Sequence, residues 1–299
     1  HYAIMISMTN MEDDLMHKVI ILTDSTCDLS KDLIEQNDIH VFPLYVVFGT
    51  THYKDGIDLT TEQLYEKVDE LDELPKTSAL SPADFVKIFT PYIEQGYDVV
   101  YTGIGSKISS TFNNAHVARL QFEENRIFLV DSLSLSTGIG LLVLKMCQFR
   151  DQGMTAAQIK EAADQVVPKI HAQFAVPNLT FLHKGGRCSG TKRFFGSMLR
   201  IRPVIRLKDG ILDLDDKAFG KFSKALDIMI QDIVDHENEL DPDHVMITHS
   251  LGFEEAKYIK EHLPDSLKKK IHHLHETVAG CVISSHCGKR TIGILYITK

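Results

Sequence analysis

Four short apolar runs, each ending in polar residues, set the rhythm of the first half of the chain. They are VIILTDST at 19–26, HVFPLYVVF at 40–48, DVVYTGIG at 98–105 and RIFLVDS at 126–132. A continuous apolar run suits a strand buried on both faces of a parallel sheet. Between and after them the apolar period lengthens to that of a helix. Residues 28–37 read as a helix capped by Asp28 or Ser30, and Leu64, Val68 and Leu71 repeat at helical spacing in a helix capped by Thr60 or Thr61. Asp55-Gly56 marks a tight, hairpin-like turn before that second helix. A further helix is expected to start near Ser109, and TGIGLLVLKMCQF at 137–149 forms another. Repeated strand–helix units of this length predict a doubly wound, mostly parallel α/β sheet. Ligands gather beyond the carboxyl ends of such strands, which puts residues 24–26, 102–110 and 131–136 on one rim.

The second half has a different texture. A helix at 155–170 leads to the strand-like HAQFAVPN and a glycine-rich basic stretch, HKGGRCSGTKR, at 183–193. Strand-like IRPVIRL, a turn at LKDGIL and a further strand precede the amphipathic helix 223–236. HVMITHS, GFEEAKYIKEHL and TIGILYITK complete a second α/β layer. The expected boundary lies near Gly153-Met154, dividing an N-terminal α/β domain, 17–153, from a C-terminal α/β domain, 154–299. The opening HYAIMISMTNM, 1–11, reads as an expression remnant and carries no basic stretch or cleavage site of a signal peptide.

Composition narrows the functional classes. The 299 residues are 43% hydrophobic and 24% charged, and the formal net charge is -9, which disfavours a nucleic-acid partner. The five cysteines are scattered and odd in number, so a disulfide framework is not expected and a reducing cytoplasm suits the chain. No apolar run approaches the ~20 residues that a membrane span needs.

Candidate chemistry lies in four segments. In KTSALSPADF, 76–85, Ser81 and Asp84 have the spacing of a helix cap, which leaves Thr77 and Ser78 unused. GIGSKISSTFNNA, 103–115, opens a helix with Ser109, Ser110 and Thr111, a setting for a carboxylate or phosphate, or simply a capped turn. Two glycines precede Arg187, and arginine is shaped for two-point recognition of an anion. Lys184, Lys192, Arg193, Arg200, Arg202, Arg206 and Lys208 surround or extend that basic stretch. His286 falls in a Ser/Gly-rich turn before the last strand. His272, His273 and His275 lack the spacing of a metal site, so no metal is expected.

Taken in order, these segments resemble the DegV family from residue 19 to the end. TDSTCDL, 23–29, is similar to its first-strand signature, and PLYVVFGTTHYKDGIDLT, 43–60, to its second-strand and hairpin segment. KTSALSP resembles TSxPSP, with Ala79 where glutamine is common. SKISSTFNNA resembles SSxLSGTYQSA, with Ser110 at the usual glycine, and LHKGGRCS and SMLRIRPVI resemble the KGGRI and LLNIKPIL runs. The family's late HTGPG motif departs here to His286-Cys287-Gly288-Lys289-Arg290. The resemblance implies two α/β domains with a long-chain fatty acid between them. It also implies a bacterial, cytoplasmic carrier subunit without chemistry or cofactor of its own. A partner fatty acid kinase would use ATP and Mg²⁺ to phosphorylate the bound acid for phospholipid synthesis, with transient membrane-surface contact during lipid exchange. Thr77 and Ser109 would hold the carboxylate, Arg187 and His286 would stand nearby, and Ser78 and Ser110 extend the set. Lys289 and Arg290 would meet phosphate groups at the kinase interface.

The helix 137–149 and Phe174, Phe181, Phe194 and Phe195 could wall the acyl tunnel. The competing reading is a serine-type acyl hydrolase using Ser109 or Ser110 with His286, although no GxSxG elbow is present. A nucleotide site at GIGSKISST lacks a P-loop lysine.

Overall fold

The computed structural model describes residues 18–188 and 201–299. Within them the first half supplies strands β1 (Val19–Asp24), β2 (Ile39–Phe42), β3 (Tyr45–Phe48), β4 (Thr51–Lys54), β5 (Lys76–Ser78), β6 (Asp98–Tyr101) and β7 (Ile127–Leu129). Its helices are α1 (Lys31–Gln36), α2 (Thr61–Leu71), α3 (Pro82–Glu94), α4 (Thr111–Arg119) and α5 (Thr137–Asp151). The apolar runs pair as expected in a four-stranded parallel sheet of order β2-β1-β6-β7. Ile21, Val99 and Val100 in its middle are fully buried.

The run 40–48 is not one strand, as its unbroken apolar pattern suggested, but two strands in different sheets. Pro43 lacks a backbone donor and restrains the residue before it, so the parallel ladder stops at Phe42. Leu44 N then donates to Ser25 Oγ at 3.1 Å, and the chain turns into an antiparallel sheet of order β4-β3-β5. The cap alternatives resolve to Ser30 for α1 and to Thr60 for α2, whose Gln63 completes a capping box. Asp28 is buried instead, and Thr61 donates to Ala279 O at 2.7 Å.

After α6 (Ala156–Val166) come β8 (Ile170–Ala175), α7 (Thr180–Gly185), β9 (Ile201–Lys208), β10 (Ile211–Phe219), α8 (Ser223–Asp235), β11 (His244–His249), α9 (Phe253–His262), α10 (Asp265–Lys270), β12 (His273–Val278), α11 (Cys281–Cys287) and β13 (Ile292–Ile297). The six strands form one mixed sheet, β10-β9-β8-β13-β11-β12. Helix α6 packs on β6 and β7 of the first sheet, and the second sheet begins at Ile170.

Helix α5 lies between the two sheets, against β1 on one side and β8, β11 and β13 on the other. Ten of its fifteen residues are buried, so it is apolar all round rather than striped. The five cysteines are buried and form no disulfide among the described residues. No helix among those residues is long and apolar enough to cross a membrane.

Candidate functional site

The loops beyond β6 and β7 and the inner face of the second sheet enclose a cavity of about 570 Å³. Its apolar lining includes Leu44, Ile104, Leu135, Phe174, Val282 and Leu295. The expected tunnel walls are only partly of this kind. No residue of 137–149 lines the cavity, because α5 is consumed as core between the sheets. Phe174 lines it, whereas Phe181 packs edge-on to Tyr65 with ring centroids 6.2 Å apart. Phe194 and Phe195, like Lys192, Arg193, Arg200 and the opening segment 1–11, lie outside the described residues.

All six candidate residues, Thr77, Ser78, Ser109, Ser110, Arg187 and His286, border this one cavity. Thr77 and Ser78 sit on β5, held by antiparallel pairing with Val46 and Tyr45 of β3. Ser81 is taken up by capping α3, accepting from Asp84 N at 3.2 Å. Ser109 closes the loop after β6, where its hydroxyl accepts from Thr111 N at 3.2 Å and shares a proton with Thr111 Oγ1 at 2.9 Å. Ser110 is exposed at the start of α4 and makes no side-chain cap bond.

His286 is not in a loop. It sits on α11, whose serines return their hydroxyls to its own backbone: Ser284 to Ala279 O at 3.2 Å and Ser285 to Cys281 O at 2.6 Å. The segment is helical where its Ser/Gly-rich composition predicts a turn. His286 Nε2 meets Thr77 Oγ1 at 2.8 Å, joining a strand of the first domain to a helix of the second. Burial, then the Arg187 cation, lowers the imidazole pKa from 6.5 to about 4, so the ring is neutral at pH 7. A neutral ring favours the fold fully above pH 6.5, and that contribution is lost as the pH falls from 6.5 towards 4.

The paired glycines before Arg187 have a visible purpose. A Cβ on Gly185 would lie 2.5 Å from His286 Nδ1, so only glycine lets α7 close over the imidazole. Arg187 is exposed and donates to Gly185 O at 2.6 Å.

Other polar groups around the cavity are already committed. Thr248 shares hydrogen bonds with Thr137 and Thr277, Ser250 with Tyr65 and Ser284, and Ser136 donates to Asp28. Thr77, Ser109 and His286 bond to one another or to Thr111, and their hydroxyls and ring face the same cavity.

The hydrolase geometry is absent. His286 Nε2 faces Thr77 rather than Ser109 or Ser110, and its buried Nδ1 has no hydrogen-bond partner among the described residues. The basic run is also not an open patch: Arg206 pairs with Asp215 and Asp232, and Lys208 with Asp215. Arg290 is tied up in the same way. It pairs with Glu255, itself 6% exposed, while Lys289 is exposed. Arg290 adopts a φ of 68° at the position of the final glycine in the family's late motif.

Sequence reading missed the cluster of His171, Asp232 and His236, whose ligand-type atoms lie within 4.8 Å of one another. Its carboxylate already accepts from Arg206, Gln173 and Tyr296. Nothing in the spacing of these three residues signals their meeting, which depends on β8 facing α8.

Two α/β domains with a cavity lined by both apolar and hydroxyl-bearing side chains define a class of ligand-binding protein. The chain belongs to the DegV family, whose model matches residues 18–299. A DegV domain-containing protein of Clostridium acetobutylicum is 31% identical over 284 residues, covering 95% of this chain and all of the relative. The solved structure of a fatty-acid-binding DegV family protein from Thermus thermophilus superposes with a TM-score of 0.83 at 26% identity, covering 94% of this chain and 100% of that one. A stearic-acid-binding protein from Eubacterium ventriosum gives 0.81 at 27% identity, with 95% and 99% covered. Fatty-acid binding is thus a property of DegV proteins of this fold.

Proposed function

We propose that this chain binds one long-chain fatty acid in the 570 Å³ cavity, with the carboxylate at Thr77, Ser109 and His286. The observation that carries this reading is the cavity's lining, where apolar side chains such as Leu44, Ile104, Phe174 and Leu295 stand beside the hydroxyls of Thr77 and Ser109 and the imidazole of His286. About ten methylenes withdrawn from water favour binding by on the order of 8 kcal/mol, at ~0.8 each. The hydroxyls add charge-assisted hydrogen bonds that fix the head group. Ser78, Ser110 and Arg187 border the same cavity, and the exposed Arg187 can pair with an anion from solvent.

The chain then serves as a carrier in the bacterial cytoplasm, presenting the carboxylate to a fatty acid kinase that brings its own ATP and Mg²⁺. It performs no chemistry itself and needs no cofactor. Native mass spectrometry of the purified protein, followed by denaturing extraction, is expected to give one long-chain acid per chain. A chain that stays empty when offered such acids would refute the reading.

Binding should also move a proton. A carboxylate beside His286 favours the imidazolium and raises a pKa that stands at about 4 in its absence. Calorimetry at about pH 5, in two buffers of different ionisation enthalpy, is therefore expected to register proton uptake on binding. Uptake should fade towards neutral pH and be lost in His286→Ala. Buffer-independent heats at both pH values would place the carboxylate away from the imidazole.

A further inference from the structure

Helix α11 carries His286 near its far end, and at ~1.5 Å per residue it is only ~10 Å long. A small change in how it starts therefore moves the imidazole relative to Thr77. Any helix leaves its leading N–H groups without partners in the helix itself. The N-cap residue here is Gly280, which has no side chain to serve them. Two carboxylates from the first domain take that place.

Asp28 Oδ1 accepts from Gly280 N at 2.8 Å, and Asp55 Oδ1 accepts from Cys281 N at 2.6 Å. Asp55 Oδ2 accepts from Val282 N at 3.4 Å. Both acids are buried, at 6% and 4% exposure, and both are fixed from behind. Ser136 donates to Asp28 at 2.6 Å and Ser25 to Asp55 at 2.9 Å. The seat is close: a Cβ on Gly280 would lie 3.0 Å from either Asp55 oxygen and 3.2 Å from Asp28 Oδ1. Burial raises both pKa values, and the neighbouring Asp55 and Asp24 raise that of Asp28 further. Two like charges held side by side out of water are a costly way to cap seven residues of helix.

We propose that Asp28 and Asp55 are positioning residues of the carboxylate site, locking α11 to the first domain so that His286 meets Thr77. The proposal rests on the fatty-acid reading of the cavity. It gives the two acids a role beyond the local cap and turn that their own segments suggest.

The test compares Asp55→Asn, Asp28→Asn and Gly280→Ala with the parent chain. Each is titrated with dodecanoic acid and with dodecan-1-ol, which fills the same chamber without a carboxylate. A positioning role predicts that the acid weakens ~10-fold, the size of one charge-assisted hydrogen bond, while the alcohol stays within about 2-fold of the parent. The His286 ring ¹⁵N resonances of the lipid-free variants should shift, and the loss should vanish in a Thr77→Ala background. If an Asn variant fails to fold, Gly280→Ala disturbs the same seat with both acids in place and carries the comparison. Equal weakening of acid and alcohol, or unchanged acid affinity in a folded variant, would overturn the proposal. A parent chain that binds neither compound overturns the lipid reading itself, and the proposal falls with it.

Discussion

Alanine at both Thr77 and Ser109 is expected to weaken the binding of a long-chain fatty acid by about 100-fold or more. A hydrogen bond to a charged group contributes about 1.5–3 kcal/mol. Two such bonds lost together amount to at least two decades in affinity, at ~1.4 kcal/mol per decade. Thr77→Ala also removes the partner of His286 Nε2, so the imidazole loses its anchor in the same step. The fold should tolerate the change. Thr77 is held on β3 through its backbone, and neither side chain is fully buried. Displacement of a fluorescent fatty acid, read beside a thermal melt, measures both quantities. Undiminished affinity would mean that the acid lies reversed, with its carboxylate at the other end of the chamber.

Asp24→Ala should be the most damaging single change in the first domain, costing about 4 kcal/mol or more. The side chain is fully buried at the end of β1, and it accepts from Thr26 N at 3.0 Å, Ile104 N at 3.0 Å, Tyr101 OH at 3.1 Å and the Thr26 hydroxyl. Burial raises its pKa, and those four donors oppose the rise. Alanine would strand all four donors out of water at once and unpin the loop leading to Ser109. Asp24→Asn, which keeps one acceptor oxygen, should lose less. Urea unfolding of the two variants gives the comparison. A cost below ~1 kcal/mol for alanine would show that water replaces the carboxylate.

Much of the first domain was legible because a parallel sheet needs strands that are apolar on both faces. Residues 19–24, 98–101 and 127–129 carry that pattern with little else to confuse it. The split at Pro43 was signalled by the proline and overridden by the apolar residues on either side of it. The order of motifs brought the six candidate residues to attention, and all of them border one cavity. What stayed hidden depends on contacts distant in sequence. Asp28 and Asp55 look like a cap and a turn, and their partners lie 252 and 226 residues away. His286 was assigned to a turn because the serines and glycines around it are poor helix formers in isolation. The walls of the cavity were misread in the case of α5, since periodicity tells how apolar a helix is and not which neighbour covers it.

Helix α5 belongs to both halves at once. Its residues fill the space between two sheets that never share a strand, so each sheet relies on it for part of its cover. A chain severed at Gly153 would leave the first piece with a greasy rod jutting into water, and the second with three strands stripped bare. Such pieces would clump rather than fold. Swapping one half for a relative's must therefore bring along a helix already matched to the half that stays.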